Sequence, residues 1–468
     1  MSLDTYPRYK NSNIEWIGEV PAHWRVASLR WYASIQGGVA KGKNYNAETP
    51  VVDLPYLRVA NVQNGFCDLS SVSTVTVAVS EVDRYRLHPG DVLMNEGGDN
   101  DKLGRGAVWQ GQVENCLHQN HVFAIRPNRH LLPYWLSMFT RSAAARSYFY
   151  LYSKQSTNLA SISSSNVMSC PLPFPSTQEQ RQILGFLDHE TAKIDALIRE
   201  QERLIELLQE KRQAVISHAV TKGLDPDVPM KDSGVEWLGE VPAHWEMVPL
   251  KYLCSFSGGG TPSKENLEYW NGDIPWVSPK DMKSFWVSNS IDKVTERAVA
   301  ESSTSLVEPN ALLMVVRSGI LQRTIPVAIN TVEVTLNQDM KALRFSMEGF
   351  ERYFAMLVQG FEPSWLLEWR KQGATVESIE QEYLAESLIP VPPRDEMYAI
   401  VNKLAAVAKQ YESLEDEAHK SSKLLRERRS ALISAAVTGK IDVRNWQPPA
   451  DESAFDEEVR QAGMEATA

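Results

Sequence analysis

The sequence predicts an α+β fold. It reads as a tandem duplication of two mixed α/β domains, joined by two long helices packed as an antiparallel coiled coil, with pseudo-two-fold symmetry. Three observations lead there. Ile14–Trp24 (IEWIGEVPAHW) recurs as Val235–Trp245 (VEWLGEVPAHW), nine of eleven positions identical at an offset of 221. A second repeat, at offset 217, lays Glu179–Gly223 over Glu396–Lys440. Between these matched segments lie two inserts of unlike sequence, Trp24 to Leu172 and Trp245 to Ile389. The period is far longer than that of a solenoid, so each copy is a domain-sized unit.

Element by element, the chain divides into a frame segment (1–24), a first insert domain (25–172) and a first long helix (173–222). A linker with the repeated frame (223–246), a second insert domain (247–388), a second long helix (389–440) and an acidic tail expected to be disordered (441–468) follow. Short strand patterns stand at Leu54–Ala60, Asp91–Asn95, Ala107–Trp109 and His121–Ile125, separated by Gly, Asn and Asp turn signals. Pro133–Tyr152 and Phe350–Glu368 read as matching helical stretches. Pro-rich stops at Cys170–Pro175 and Ile389–Pro393 end the inserts. Ser176-Thr177-Gln178-Glu179 is a capping box opening the first long helix. Leu187, Ile194, Leu197, Leu204, Leu208 and Val215 fall near heptad spacing, and Leu404, Tyr411, Leu414, Leu425 and Leu432 repeat that stripe. Roughly 43 helical residues at ~1.5 Å each make a rod of ~65 Å.

Composition is that of a water-soluble chain, 43% hydrophobic and 23% charged. No apolar run approaches a membrane span, and Met1–Pro7 carries no signal-peptide pattern, so a cytoplasmic location is expected. Cys67, Cys116, Cys170 and Cys254 are scattered, which argues against structural zinc and a disulfide framework. The net charge of −11 argues against indiscriminate DNA coating, yet Asp451–Ala468 alone hold six acids and one Arg. The rest leaves room for local basic faces.

Catalytic motifs are missing. Gly37–Asn44 approaches a P-loop, but Asn44 stands where Ser or Thr should hold Mg²⁺ and no helix pattern follows. His23 and His244 have no second ligand at metal spacing and read as structural. Neither methyltransferase signatures nor a nuclease cluster is present. The inserts instead hold polar and aromatic residues at presumed loops: Lys41, Lys43, Asn44, Tyr45, Arg58, Asn61, Asn95, Lys102, Arg105, Lys154, Gln155 and Asn158 in the first. In the second they are Thr261, Ser263, Lys264, Trp276, Ser278, Lys280, Lys283, Arg317, Gln322, Arg323, Gln372 and Thr375. Arg, Asn and Gln can pair with purine edges and Lys holds phosphate, so both sets are candidate DNA contacts.

The repeated Glu-Trp-Ile/Leu-Gly-Glu-Val-Pro-Ala-His-Trp entry, Asp273–Asp281 with its partner Leu54–Asn61, Pro89–Asn95, and the exits Gln155–Asn158 and Gln372–Thr375 occur in this order twice. In this arrangement the chain resembles the specificity subunit of Type I restriction–modification systems. The resemblance implies two target recognition domains, each reading half of a bipartite, asymmetric site on double-stranded DNA, with the helices setting the unread spacer. It implies a non-catalytic chain without cofactor, acting in phage defence. Two modification subunits would bind S-adenosylmethionine and methylate adenine N6, and motor-nuclease subunits would use ATP and Mg²⁺. An alternative within the resemblance is a specificity subunit of another methylation-only or phage-defence assembly.

Overall fold

The computed structural model describes residues 4–98, 103–155, 160–371 and 376–448. The chain forms two compact units, Met1–Gln201 with Lys420–Ala468, and Glu202–His419. Each long helix, Thr177–Lys222 and Arg394–Val437, gives residues to both.

In the first unit an antiparallel sheet runs in the order Ala33–Gly37, Val122–Pro127, Val92–Asn95, Gly106–Val108. Val51–Leu57 pairs antiparallel with Ser73–Ala78 and parallel with Leu117–His118. A hairpin, Lys154–Gln155 with Ala160–Ser161, docks on Gly97–Gly98. The insert is closed where its entry strand Arg25–Ser28 pairs antiparallel with its exit strand Pro171–Phe174.

The second unit repeats this plan. Its main sheet runs Cys254–Gly258, Met340–Phe345, Leu312–Val315, Val327–Asn330, Trp286–Val287. Trp270–Val277 lies between Asp292–Val294 and Thr335–Leu336. Glu246–Pro249 closes on Leu388–Val391. The frame repeats form matching hairpins, Tyr9–Asn11 with Glu19–Pro21 and Met230–Asp232 with Glu240–Pro242.

Each expected helical stretch is broken in two. Pro133–Thr140 is followed by Ala143–Tyr152, because Ser142 turns to extended backbone and caps the second helix through Ala145 N. Phe350–Gly360 is likewise followed by Glu362–Trp369.

Within each unit the two long helices share a core. In the first, Ile183, Phe186 and Leu187 join Ile433, Ala436 and Val437 around the fully buried Trp24. In the second, Ile216 and Val220 join Met397, Ile400 and Leu404 around Trp245. The heptad seam differs in part from expectation. Ile194 and Ile198 are buried, whereas Leu197, Leu204 and Leu414 are 50%, 42% and 40% exposed. The run Leu187, Thr191, Ile194, Ile198 alternates steps of four and three and admits a polar residue, so a stripe of apolar residues near heptad spacing steps off the seam at Leu197. Arg429 closes the seam on Asp195 at 2.8 Å.

The frame hairpins are pinned to helix ends. Gly223 and Gly439 both sit at φ +74°, ending their helices in the left-handed region glycine favours. Lys222 Nζ donates to Glu240 O and Lys440 Nζ to Glu19 O, each at 2.7 Å. Expected as the start of the tail, residues 441–446 instead pack inward: Val443 is buried and Trp446 meets Phe186 at 5.4 Å.

Ser176 Oγ accepts from Glu179 N as a capping box requires, but the Glu179 carboxylate does not reach back. It accepts instead from Tyr6 Oη at 2.8 Å and Trp24 Nε1 at 3.0 Å, and faces His23 Nε2 at 2.9 Å. His244 meets Glu396 at 2.8 Å in the second unit. Both histidines thus have a carboxylate partner far away in sequence, and no group of three metal-ligating side chains occurs among the described residues.

Candidate nucleic-acid interface

Each insert sends three loops from the ends of its strands. The first follows Ala33–Gly37. A Cβ on Gly38 would lie 1.9 Å from His118 O, so glycine is required for the chain to fold back, and Val39 N bonds His118 O at 2.8 Å. Gly259 meets Asn337 O at the same 1.9 Å, and Gly260 N bonds Leu336 O at 2.8 Å. The first loop leads into Val51–Leu57 without a helix, which removes the P-loop reading; its counterpart in the second unit passes through a short 3-10 turn, Leu267–Tyr269, before Trp270–Val277. Lys41 and Asn44 are exposed, but Lys43 pairs with Glu81, which also accepts from Tyr45 Oη at 2.9 Å. The Glu81 hydrogen bond raises the Lys43 pKa.

The second loop is a tight turn. Arg58 N donates to Asn61 Oδ1 at 2.9 Å, and Ser278 N donates to Asp281 Oδ2 at 2.9 Å. Here the sequence-based candidates need correction. Asn61 is buried and its amide holds Asp68 O and Ser71 O at 2.9 Å. Asn95 is buried too, donating to Val62 O at 3.0 Å. Trp276 is buried with its N–H on Gly260 O, and Ser278 is buried in its own cap. These four build the scaffold and do not face solvent. Lys280 is exposed but paired with Asp292 at 2.7 Å.

The third loop carries the docked hairpin. In the first unit Val59, Glu96, His121, Lys154 and Gln155 surround one open concavity of about 560 Å³. Arg58 precedes that rim, and Arg105 Nη1 reaches Gln63 Oε1 at 3.2 Å. Sequence reading missed Glu96 and His121, whose side chains meet at 2.7 Å; a lone Glu before two glycines carries no signal of its partner. In the second unit Arg317, Gln322 and Arg323 are exposed on the segment after Leu312–Val315, and Ser263, Lys264 and Lys283 are exposed on other loops. Thr261 is half-buried against Gln338. Lys102, Asn158, Gln372 and Thr375 lie outside the described residues.

A family model described as Type I restriction modification DNA specificity domain matches residues 24–207 and again 242–420. The chain is 23% identical over 444 residues to a type I restriction enzyme MjaX specificity subunit of Methanocaldococcus jannaschii, covering 93% of this chain and 98% of that one. It is 35% identical over 251 residues to the EcoR124I/EcoR124II specificity subunit of Escherichia coli, covering 52% and 56%. The fold resembles the HsdS subunit from Thermoanaerobacter tengcongensis at TM-score 0.52 and 16% identity, over 90% of this chain and 98% of that one. A chain from a structural study of the assembly of a type I R-M system matches at TM-score 0.69 and 16% identity, over 90% and 99%. Carrying the matched domain twice, on the frame its own repeats define, this chain belongs to the Type I restriction–modification DNA specificity subunits.

Proposed function

We propose that each insert reads one half of a bipartite, asymmetric site on double-stranded DNA, and that the chain positions partner subunits for methylation of adenine N6 in both halves. The observation that carries this is the repeated closure of the inserts. Arg25–Ser28 with Pro171–Phe174, and Glu246–Pro249 with Leu388–Val391, hold two unlike inserts on one frame. A frame repeated with different inserts is suited to two different half-sites. The long helices would set the unread spacer and offer docking surface to two modification subunits.

The chain itself would take no cofactor. S-adenosylmethionine would be held by the modification subunits, and ATP and Mg²⁺ by motor-nuclease subunits that join for restriction. Methylation-only or other phage-defence assembly is the second reading.

The test is co-expression with the adjacent genes in a methylation-free host, followed by mapping of N6-methyladenine. One bipartite motif that disappears with this chain is expected. Exchanging residues 25–172 for those of another specificity subunit should alter one half only. No methylation by an assembled complex, or change in both halves, overturns the proposal.

A further inference from the structure

We propose that Glu96, held in place by His121, reads a cytosine in the half-site of the first unit by accepting a hydrogen bond from its N4 amino group; this rests on the DNA-reading function above.

The argument begins with the backbone. Glu96 N donates to His121 O at 2.9 Å, and its carbonyl accepts from Ile162 N at 2.9 Å, so the residue is fixed between the main sheet and the docked hairpin. Its carboxylate borders the concavity lined by Val59, Lys154 and Gln155. Side-chain exposures of 31% for Glu96 and 58% for His121 leave the pair reachable from solvent.

The second unit has the same scaffold there with other side chains. Val316 N donates to Asp339 O at 2.9 Å, as Glu96 N does to His121 O. Arg317 bridges Ser378 as Gly97 pairs with Ser161. Three matched backbone positions thus carry Glu96, Gly97 and His121 in the first unit and Val316, Arg317 and Asp339 in the second. The bonds that build the site are repeated while its side chains change: Val316 turns into the core of the second unit and Arg317 is exposed, whereas in the first unit Glu96 and His121 are the side chains that solvent reaches, as expected of a specificity-determining position.

Chemistry then selects the base. An ionised carboxylate only accepts hydrogen bonds. Guanine and thymine present only acceptors in the major groove, and adenine sets the N7 acceptor beside its amino group. Cytosine N4 offers a donor without that competing lone pair. The imidazole of His121, with Nδ1 2.7 Å from Glu96 Oε2, is a positioning residue that fixes the direction of the carboxylate. Lys154 on the same rim can hold the phosphate.

The experiment uses the full chain in its assembled complex. The motif is first mapped by N6-methyladenine, and the half altered by exchanging residues 25–172 is assigned to the first unit. Each cytosine of that half is then replaced in turn by pyrimidin-2-one, which lacks only the 4-amino group, and duplex binding is measured. One replacement should weaken the wild-type complex about tenfold, and the E96M complex, which has no acceptor there, by less than about twofold. H121N, which keeps the carboxylate and frees it, should lose part of that discrimination at the same position. Equal penalties in both complexes, or a half-site without a penalised cytosine, overturn the assignment. If E96M binds no duplex, E96D takes its place, with weakened discrimination at that one position supporting the assignment and unaltered discrimination overturning it. A wild-type complex that gives no motif at all overturns the underlying DNA-reading function instead.

Discussion

Trp24 donates its indole N–H to Glu179 at 3.0 Å, whereas the matching Trp245 Nε1 is buried without a partner among the described residues. The two frames are thus alike in sequence and unlike in how they are pinned. In the first unit one carboxylate, 7% exposed, serves Tyr6, Trp24 and His23. Burial and the adjacent carboxylate hold the Tyr6 phenol well above its ordinary pKa, so it remains a donor. In the second unit Glu396 meets His244 at a half-exposed site.

Glu179→Ala should therefore cost more than Glu396→Ala. It strands two buried donors, Tyr6 Oη and Trp24 Nε1, for about 2–5 kcal/mol. Glu396→Ala removes a half-exposed histidine–carboxylate contact worth about 1 kcal/mol or less. Urea unfolding of the two variants checks this, and equal losses would show that the Trp24 bond does not stabilise the first frame.

How much of this was legible in the sequence follows from where the signal lies. The frames, the long helices and the bounds of each insert are readable because local patterns, a repeated entry and a Pro-rich stop, mark them; that entry and exit pair as strands is not, because their partners lie about 145 residues apart. The seam was half readable: Leu187 and Ile194 were found, but Leu197 and Leu204 were misplaced because spacing alone does not say which of two adjacent apolar residues turns inward. The concavity was hardly readable. Glu96 and His121 become neighbours through strand pairing, and Asn61 and Asn95 look like base readers until their amides are seen holding carbonyls.

The seam gives a direct test. Ile198→Ala should destabilise by about 2–4 kcal/mol, as truncation of a buried aliphatic does. Leu197→Ala, one position away and half exposed, should change stability by about 0.5 kcal/mol or less. Thermal unfolding of both separates the observed seam from the one read from heptad spacing, which contains Leu197 and predicts the reverse order.

His118 should make the first unit sensitive to acid. It is 1% exposed with Nδ1 2.6 Å from Val122 O, and burial holds its pKa below the ordinary value. The unfolded chain binds the proton near pH ~6.5, and the folded chain only at lower pH. The unfolded state therefore carries more protons in that window, so stability is complete above it and falls as pH drops. Melting temperatures should decline from pH 7 to 5 more steeply in wild type than in His118→Gln, where the amide still donates to Val122 O. Parallel slopes would place the acid sensitivity elsewhere.

The fold-back glycines tie stability to recognition. A Cβ on Gly38 would strike His118 O at 1.9 Å, and one on Gly259 would strike Asn337 O at 1.9 Å, both backbone atoms that cannot step aside. Gly37 and Gly258, one residue earlier, have open space around the same position. Gly38→Ala and Gly259→Ala should each cost about 1–3 kcal/mol, as overpacking does. Gly37→Ala and Gly258→Ala should be neutral or stabilising by up to about 1 kcal/mol. Because each loop begins beside its own insert's strand ends, Gly38→Ala should loosen base preference in one half-site and Gly259→Ala in the other. Motif mapping beside urea unfolding checks both; loosening of both halves by either variant would mean that the loops act through the frame and not at the DNA.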